Sequence, residues 1–476
     1  MLFNTLHFGY FFILVAALFF ALPRRQRWIF LLLCNFFYYF CFKAEYLILL
    51  IIAIGVSWWS ALRIEEHGER EGGRRAWLVF SLVVNIGILL TFKYFNFFSR
   101  TIMDVSAALG GPLQVPLLKW VLPVGISFYT FSASSYVIDV FRRKLPAERH
   151  LGLYAAYVSF FPNIVSGPIE RAPNLLPQFR KPLEFDGARV ASGLRLMLWG
   201  FFKKLVVADR LAIYVNAVFN NPDPHSGATN LVASLFFTFQ IYCDFSGYTD
   251  IAIGVARTLG FDLKKNFDRP YFSRSIPEFW RRWHISLSSW FRDYLYIPLG
   301  GSRVSVPRAY LNLFIVFFVS GMWHGANWTF LIWGGLHGLY AVSSKFTQRW
   351  RDRLAAALRI PAGLRRAFAV FFTFMLANFA WIYFRAADLA TANLMVARIL
   401  SADYGRLFIP APDQFVYSLA AIAMLLAVDL LQEGRSLAHW LDARPLPLRW
   451  AIYITVLVII LLMGIFNGSQ FIYAQF

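Results

Sequence analysis

The sequence predicts an all-α polytopic membrane protein, and three observations lead to that fold class. Of the 476 residues, 58% are hydrophobic and only 15% are charged, against about 25% charged residues in an ordinary soluble domain. Apolar stretches long enough to cross a bilayer, or nearly so, recur along the whole chain. Aromatic residues make up 19% of the chain, which suits a helix bundle with many rings at the lipid and interfacial surfaces.

The apolar stretches predict about eleven transmembrane helices. The clear stretches are residues 7–22, 28–42, 46–62, 76–98, 188–220, 228–256, 309–322, 327–344, 366–384, 414–431 and 449–467. Weaker ones lie at 120–140 and 151–166. No internal repeat or low-complexity linker divides the chain, so we expect a single integral-membrane domain over residues 1–476.

Basic loops predict the orientation of the chain. The first apolar stretch comes before the basic loop at 24–27, the reverse of the charge order in a signal peptide, so we expect it to be retained. The loops at 24–27 and 63–75 are predicted to be cytoplasmic. Arg444 and Arg449 place the loop before the last span on the same side. Both termini are therefore expected on the extracytoplasmic side.

The net charge of +20 would suggest a nucleic-acid partner in a soluble protein. Here the basic residues lie in short loops between apolar stretches, so we attribute them to cytoplasmic anchoring and expect no nucleic acid. The three cysteines all lie in apolar stretches and show neither a disulfide framework nor metal-ligand spacing. The sequence thus predicts a lipid membrane as partner and no metal site.

The segment Pro277 to Leu295 predicts one amphipathic helix at the cytoplasmic surface, because its apolar residues recur at helical spacing. Pro277 and Glu278 suit a helix start. The apolar face consists of Trp280, Trp283, His284, Leu287, Trp290, Phe291 and Leu295.

Two histidines, His324 and His337, lie in the run GMWHGANWTFLIWGGLHG, which has no Asp, Glu, Lys or Arg. An ionisable side chain in a membrane segment is costly and suggests a functional site. The alternative is a core histidine that bonds to a neighbouring helix. Asn327 and the backbone at Gly325 are candidate donors to an oxyanion, although Asn327 also fits a structural role.

Other patterns carry less information. Asp244 and Asp250 are six residues apart and do not share a helix face, so we do not interpret them as a catalytic pair. Asp244 is instead a candidate to pair with a basic residue elsewhere. Gly334 and Gly338 form GxxxG, a helix-packing pattern. HExxH, GxSxG and phosphate-binding glycine loops do not occur.

Six stretches of the chain together carry a family pattern. They read VGISFYTFSASSYVIDVFR (124–142), FFPNIVSGPIERAPNLLPQF (160–179), QIYCDFSGYTDIAIGVARTLGF (240–261), NFDRPYFSRSIPEFWRRWHISLSSWFRDYLYIPLGGSR (266–303), FVSGMWHGANWTFLIWGGLHG (318–338) and SQFIYAQF (469–476). They resemble the membrane-bound O-acyltransferase family, and within it the branch of bacterial alginate O-acetyltransferases.

The resemblance implies a bundle of transmembrane helices with re-entrant or interfacial helices, placed in a bacterial inner membrane. His324 matches the active-site histidine of the family, and His284 matches its second characteristic histidine. The implied activity is transfer of an acyl group, expected to be acetyl, from a cytoplasmic donor for O-acetylation of an extracytoplasmic polysaccharide such as alginate. Periplasmic SGNH-type acetyltransferase partners would complete the delivery.

The implied chemistry suits histidine. Acyl transfer to a hydroxyl requires removal of the hydroxyl proton, and imidazole, with a pKa of about 6.5, accepts a proton near neutral pH.

The implied acyl donor is acetyl-CoA, and no permanently bound cofactor is expected. The phosphates of acetyl-CoA favour basic residues on the cytoplasmic side. The candidates are Lys264, Lys265, Arg269, Arg274, Arg281 and Arg282. Ordinary cytoplasmic anchoring is the alternative for each of them.

The last six residues, FIYAQF, fit the pattern F-x-Y-x-x-F. In related bacterial systems such a terminus resembles an acyl relay, which makes Tyr473 a third candidate catalytic residue. An aromatic anchor at the outer interface is the alternative.

Two other functions remain open at the level of sequence. One is transfer of D-alanine to teichoic acid. The other is a transporter or flippase without chemistry, since broken helices and polar residues at the membrane midplane suit that class too.

Overall fold

The computed structural model describes residues 1–401, 404–434, 437–466 and 472. These residues are helical and contain no β-strand, which confirms the all-α fold class. The chain packs as two compact units, and the prediction of a single integral-membrane domain stays a prediction. The first comprises residues 1–196 and 252–264, and the second comprises residues 197–251 and 265 onward.

The helices of the amino-terminal part begin with α1 and end with α9. They are α1 Leu6–Ala21, α2 Arg27–Phe40, α3 Leu47–Glu66, α4 Glu71–Ala108, α5 Ile126–Phe141, α6 Leu151–Val158, α7 Phe161–Ile164, α8 Ala172–Leu175 and α9 Gly187–Phe201. Short 3₁₀ turns cover Arg24–Gln26, Ala44–Tyr46 and Leu176–Arg180.

The remaining helices carry the candidate site. They are α10 Asp209–Phe219, α11 Gly227–Thr258, α12 Ile276–Arg282, α13 Ile285–Phe291, α14 Val306–His324, α15 Trp328–Phe346, α16 Gln348–Ala357, α17 Ala362–Arg385, α18 Leu389–Leu400, α19 Pro412–Gln432, α20 Leu437–Asp442 and α21 Leu446–Met463. A 3₁₀ turn covers Pro270–Phe272, and π-helical turns cover Phe202–Ala208 and Arg292–Tyr296.

Within the described residues, six helical segments are long and apolar enough to cross a membrane. They are Ala44–Glu66, Glu71–Ala108, Val306–His324, Ala362–Arg385, Pro412–Gln432 and Leu446–Met463. Other predicted spans form shorter helices, as at Leu6–Ala21, or carry many polar groups, as in α11. The polytopic architecture is thus confirmed, while the crossings beyond these six stay a prediction.

The predicted span 188–220 is interrupted by the π-helical turn Phe202–Ala208. This turn follows Gly200, where the backbone approaches α11 closely. A Cβ atom on Gly200 would lie 2.7 Å from the carbonyl oxygen of Gly247, so only glycine permits this crossing. A π turn often marks a functional segment, and this one places Lys203 and Lys204 in the protein interior.

Candidate active site

His324 is the last residue of α14, and a tight connection leads from it into α15. Asn327 caps α15, since its Oδ1 accepts a hydrogen bond from the Thr329 N–H at 3.2 Å. Its Nδ2 donates to the Ala387 carbonyl at 2.8 Å. Both ends of this amide therefore serve the local structure, which favours the structural role of Asn327 over an oxyanion role.

Glycines bring α14 and α15 into close contact behind His324. A Cβ atom on Gly321 would lie 2.4 Å from the Phe330 carbonyl oxygen. One on Gly334 would lie 2.6 Å from the Phe317 carbonyl oxygen. The small-residue pattern read from the sequence thus acts as a packing surface, and it fixes the position of His324 relative to α15.

Aromatic rings surround the His324 imidazole, which is 3% exposed. The ring centroid of Trp333 lies 4.9 Å from that of His324, and the ring of Phe384 lies 5.5 Å away. Trp381 packs behind both of these rings, at 5.6 Å from Trp333 and 5.1 Å from Phe384. The indole of Trp323 closes the remaining side at 5.0 Å. His324 therefore has an apolar wall that limits access of water.

The continuous helix predicted over 277–295 is wrong, because the chain breaks at His284. The structure forms α12, then His284 with φ 42° and ψ 54°, then α13. A loop around Asn266 replaces the helical bonds. The Asp268 N–H donates to the Arg282 carbonyl at 2.8 Å, and the Ile285 N–H donates to the Asn266 carbonyl at 2.9 Å. Partners distant in sequence cause this break, so helical periodicity could not reveal it.

His284 is fully buried, as the amphipathic pattern predicts. Its Nδ1 lies 3.2 Å from Asn266 Oδ1, which also accepts hydrogen bonds from the Ser286 N–H and hydroxyl at 3.0 and 2.9 Å. Burial lowers the pKa of His284 to about 3, so its imidazole is neutral in the physiological range. The left-handed backbone costs about 1–3 kcal/mol for a non-glycine residue, and such strain often accompanies function.

The structure brings the two matching histidines together. The ring centroids of His284 and His324 are 6.5 Å apart, and the Trp323 ring lies beside both, at 6.1 Å from His284 and 5.0 Å from His324. Phe245 of α11 packs edge-on against His284 at 4.7 Å. Two imidazoles thus occupy one aromatic-lined region of the second unit.

His337, the other histidine of the apolar run, has a structural contact. It is fully buried, and its Nδ1 accepts a hydrogen bond from the Trp280 indole at 3.2 Å. The Trp333 ring lies against both His337 and His324, at 4.9 Å from each. His337 therefore supports the aromatic wall from behind and makes a useful control for His324.

A cavity of about 1340 Å³ lies between α12–α13, α14, α15–α16 and α17. The apolar part of its lining includes Leu287, Phe291 and Phe317. Its lining reaches Trp280, which bonds to His337, and Ser320, one helical turn before His324. The basic residues that line it are Arg274, Arg281, Arg292, Lys345, Arg351, Arg365 and Arg366. Such a cavity suits a molecule with an anionic part and an apolar part.

Only some of the predicted donor-binding residues line this cavity. Arg274 and Arg281 do. Lys265 pairs with Asp268 at 2.8 Å on the surface. The Lys264 backbone N–H donates to a Glu170 carboxylate oxygen at 2.6 Å within the first unit.

Arg269 and Arg282 converge on one carboxylate. Glu433, which follows α19, lies 3.1 Å from Arg282 and 3.7 Å from Arg269, and Arg366 reaches it at 3.5 Å. Arg282 also pairs with Glu278 at 2.8 Å. Burial by itself lowers the pKa of Arg282, but the contacts with Glu433 and Glu278 outweigh it and raise that pKa. Arg269 and Arg282 thus have protein partners of their own.

Sequence reasoning missed the contribution of the segment 345–366. Lys345, Arg351, Arg365 and Arg366 line the cavity, but the sequence offered them only as a basic loop between apolar spans. The signal was present in the basic, partly apolar character of α16 and its flanks. Tyr473, the third predicted catalytic residue, lies outside the described residues.

The fold and the site define a class of protein: a polytopic α-helical membrane protein that buries two histidines among aromatic rings, next to a cation-lined cavity. Residues 80–384 match the model of the membrane-bound O-acyltransferase family. This match spans both histidines and the whole cavity. The chain belongs to the membrane-bound O-acyltransferase family.

Similar proteins narrow the chemistry. The chain is 40% identical to a probable alginate O-acetylase AlgI of Azotobacter vinelandii, over 82% of this chain and 75% of the relative. It is 35% identical to a peptidoglycan O-acetyltransferase of Helicobacter pylori, over 76% of this chain and 71% of the relative. Its identity to a teichoic acid D-alanyltransferase of Bacillus subtilis is 28%, over 48% of this chain and 60% of the relative.

These findings establish the chain as an acyltransferase of a bacterial membrane family. They disfavour the transporter interpretation that composition alone left open, because the relatives are named for transfer reactions.

Proposed function

We propose that this protein transfers an acetyl group from a cytoplasmic thioester donor, acetyl-CoA, through the inner membrane for O-acetylation of an extracytoplasmic polysaccharide. The observation that carries the proposal is that His324 lies one helical turn after Ser320, which lines a cavity rich in basic residues. Identity to alginate and peptidoglycan O-acetylating proteins supports acetyl as the group transferred.

The cavity suits the donor. The cavity lining contains seven basic residues but a single acidic residue, Asp352, which pairs with Arg365. Arg274, Arg281 and Lys345 form no ion pair within the described part of the chain, so they are available to phosphate groups. The apolar residues of the cavity lining suit the narrow pantetheine arm of the donor. Basic loops favour the cytoplasmic side, where acetyl-CoA is found.

The thioester would reach His324 along α14. Ser320 is the lining residue of α14 nearest in sequence to His324, and four residues of helix span about 6 Å. A donor with its phosphates among the arginines would thus present its acetyl group close to the imidazole. Access from the opposite side would bring the acceptor hydroxyl to the same place.

His324 would act as general base and then as general acid. As the acceptor oxygen attacks the thioester carbonyl, its proton passes to an imidazole nitrogen. The C–S bond then breaks, and the imidazolium returns the proton to the departing thiolate. Such a base contributes about 100- to 10,000-fold to the rate, and the aromatic wall reduces competing hydrolysis.

His284 would assist rather than take the proton. Its ring centroid lies 6.5 Å from that of His324, and Asn266 fixes its Nδ1. Because burial keeps its pKa near 3, the neutral ring adds no positive charge that would raise the energy of a His324 imidazolium. The oriented ring would line the path of the acyl group.

The aromatic wall supports a short acyl group. Trp333 and Trp381 are fully buried and Phe384 is 1% exposed, and the three rings pack on one another beside His324. Filled space of this kind excludes long acyl chains, since interiors are close-packed. Acetyl fits such a site without displacement of the rings.

Delivery beyond the membrane would use Tyr473 and a partner. In this proposal both termini are extracytoplasmic, and the Tyr473 hydroxyl accepts the acetyl group from the donor. A phenol ester remains reactive, because its leaving group has a conjugate acid with a pKa of about 10. A periplasmic SGNH-type partner would take the acetyl group onto its serine and pass it to the polysaccharide.

The acceptor is proposed to be alginate or a related exopolysaccharide, with peptidoglycan as the second candidate because of the Helicobacter pylori relative. D-Alanyl transfer to teichoic acid is the remaining alternative, supported by relatives of lower identity and coverage.

The test is the acyl content of envelope polymers in a deletion strain, with and without this chain. The proposal expects O-acetyl groups on an exported polysaccharide to disappear on deletion and return on complementation. Peptidoglycan O-acetyl and teichoic acid D-alanyl contents are measured in the same cells. A change confined to ester-linked D-alanine would contradict the proposed acetyl transfer.

A further inference from the structure

A group of buried charges in the second unit takes no part in the proposed chemistry. Lys204, on the π-helical turn, is 0% exposed and lies 2.6 Å from Asp244 and 2.7 Å from Asp209, which are also buried. Its ammonium group further sits 5.2 Å from the Tyr248 ring centre. Buried charges within a membrane protein are costly and suggest a function. The sequence-based expectation that Asp244 pairs with a distant basic residue is confirmed.

The two carboxylates on Lys204 differ in one respect. Asp244 uses Oδ1 for Lys204, while its Oδ2 accepts a hydrogen bond from the Ile472 backbone N–H at 2.8 Å. Ile472 is itself 6% exposed. Asp244 thus joins α11 to a residue 228 positions further along the chain.

The chain just before Ile472 also attaches to the π-helical region. The Ile465 N–H donates to the Leu205 carbonyl at 3.1 Å, and the Arg210 Nε donates to the Met463 carbonyl at 3.1 Å. A π turn leaves backbone carbonyls out of the regular α-helical pattern, and here Leu205 provides such an acceptor. These contacts bring the end of α21 to the same elements that hold Lys204.

The anchor at Asp244 lies close to the candidate active site along α11. The next residue, Phe245, packs edge-on against His284 with ring centroids 4.7 Å apart. Ile472 is therefore bound to the stretch of α11 that contacts one of the two histidines.

We propose that Asp244, held in place by Lys204, is a positioning residue that seats Ile472 against α11 beside the active site. The carboxylate binds the backbone amide of Ile472, so the seat does not depend on the Ile472 side chain. Lys204 compensates the buried charge of Asp244, and Asp209 is the other carboxylate on Lys204. Ile472 is then held by the same stretch of α11 that packs against His284.

The proposal is tested by carboxypeptidase digestion of the purified full-length protein in detergent, followed by mass spectrometry of the intact chain. In the wild type, trimming should slow sharply at Ile472. In Asp244→Ala, removal of Ile472 and the residues before it should be at least about tenfold faster. Asp209→Ala, which removes the other carboxylate on Lys204, is the matched control and should trim like the wild type.

A second variant guards against loss of folding. In Lys204→Met/Asp244→Leu both charges are replaced by apolar groups of similar size, which buried ion pairs often tolerate. A monodisperse, helical double variant should also lose Ile472 faster than the wild type. Equal trimming in the wild type and the folded double variant, or equal release by Asp209→Ala, would overturn the proposal.

This inference does not require that the proposed acetyl transfer is correct, because trimming needs neither donor nor turnover. A functional readout links the two. If Asp244 acts through Ile472, Asp244→Ala should add no further loss of acetyl transfer to a variant truncated after Asn467. An additional loss would show that Asp244 acts elsewhere in the protein.

Discussion

His284 combines three properties at one residue: complete burial, a left-handed backbone, and a fixed contact with the Asn266 amide. Each is costly for a residue that only fills space. Together they orient a neutral imidazole beside His324, and they explain why two short helices replace one long one.

We expect His284→Ala to lower acetyl transfer about 10- to 100-fold, less than loss of a general base. Arg282→Ala, which removes the neighbouring side chain and its pairs with Glu278 and Glu433, is the control and should cost less. The measurement is the rate of acetyl transfer in membranes with equal amounts of each variant. A larger loss from Arg282→Ala than from His284→Ala would contradict the assisting role.

A substitution at Tyr473 distinguishes an acyl relay from an aromatic anchor. Tyr473→Phe keeps the aromatic ring but removes the oxygen that would carry the acetyl group. A relay therefore predicts no polysaccharide acetylation in this variant. Near-normal acetylation, measured as ester content of the exported polymer, would assign the terminus to anchoring and leave the role of His324 unchanged.

Residue-level features were predictable where they depend on local pattern. Local sequence pattern predicts three features. They are the histidines within an uncharged run, the buried helix face that carries His284, and the packing role of Gly334. Local pattern does not predict the break at His284, because Asn266 and Asp268 supply its hydrogen bonds from a different segment.

Among the helical elements, α12–α16 line the proposed donor site. The helical hairpin of α14 and α15 holds His324 at its turn, and the basic segment around α16 lines the cavity. The sequence showed that this segment was basic. This segment and Arg281 line the same cavity because of how four elements pack, and no single stretch of sequence encodes that packing.

Removal of cavity charges should weaken donor binding. We expect Arg281→Gln combined with Lys345→Gln to raise the KM for acetyl-CoA at least about tenfold, since charge-assisted hydrogen bonds contribute about 1.5–3 kcal/mol each. The effect on kcat should be small. Rates are measured in inverted membrane vesicles, which expose the cytoplasmic face.

Lys265→Gln provides the matched control. Lys265 is basic and was also predicted to bind the donor, but it pairs with Asp268 at the surface. The KM of the Lys265→Gln variant for acetyl-CoA should stay within about twofold of the wild-type value. An equal rise in KM for Lys265→Gln, or no rise for the cavity variant, would contradict the cavity as the donor site.

For the whole molecule, basic loops and apolar helices predict the topology. The loops at 24–27 and 63–75 and the arginines before α21 predict that both termini are extracytoplasmic. We expect alkaline phosphatase fused to either terminus to be active and green fluorescent protein at the same sites to be dark. A fluorescent carboxy-terminal fusion would contradict the topology, and with it the relay at Tyr473.

The family fold and the positions of the six clear membrane-spanning helices were accessible from the sequence because hydropathy reports on lipid exposure. The organisation into two units and the π-helical break in the span 188–220 were not. Both arise from contacts between distant segments, such as the glycine crossing of Gly200 with Gly247.

Comparison of two buried histidines of one hairpin shows whether His324 performs the chemistry. His324→Ala and His337→Ala are expressed at equal levels in the deletion strain, and ester-linked acetyl on the exported polysaccharide is measured. Both variants lose a buried ring against Trp333, so damage to packing should be similar. We predict a loss of at least about 100-fold for His324→Ala and less than about tenfold for His337→Ala. Acetylation at the wild-type level in His324→Ala would rule out His324 as the catalytic base.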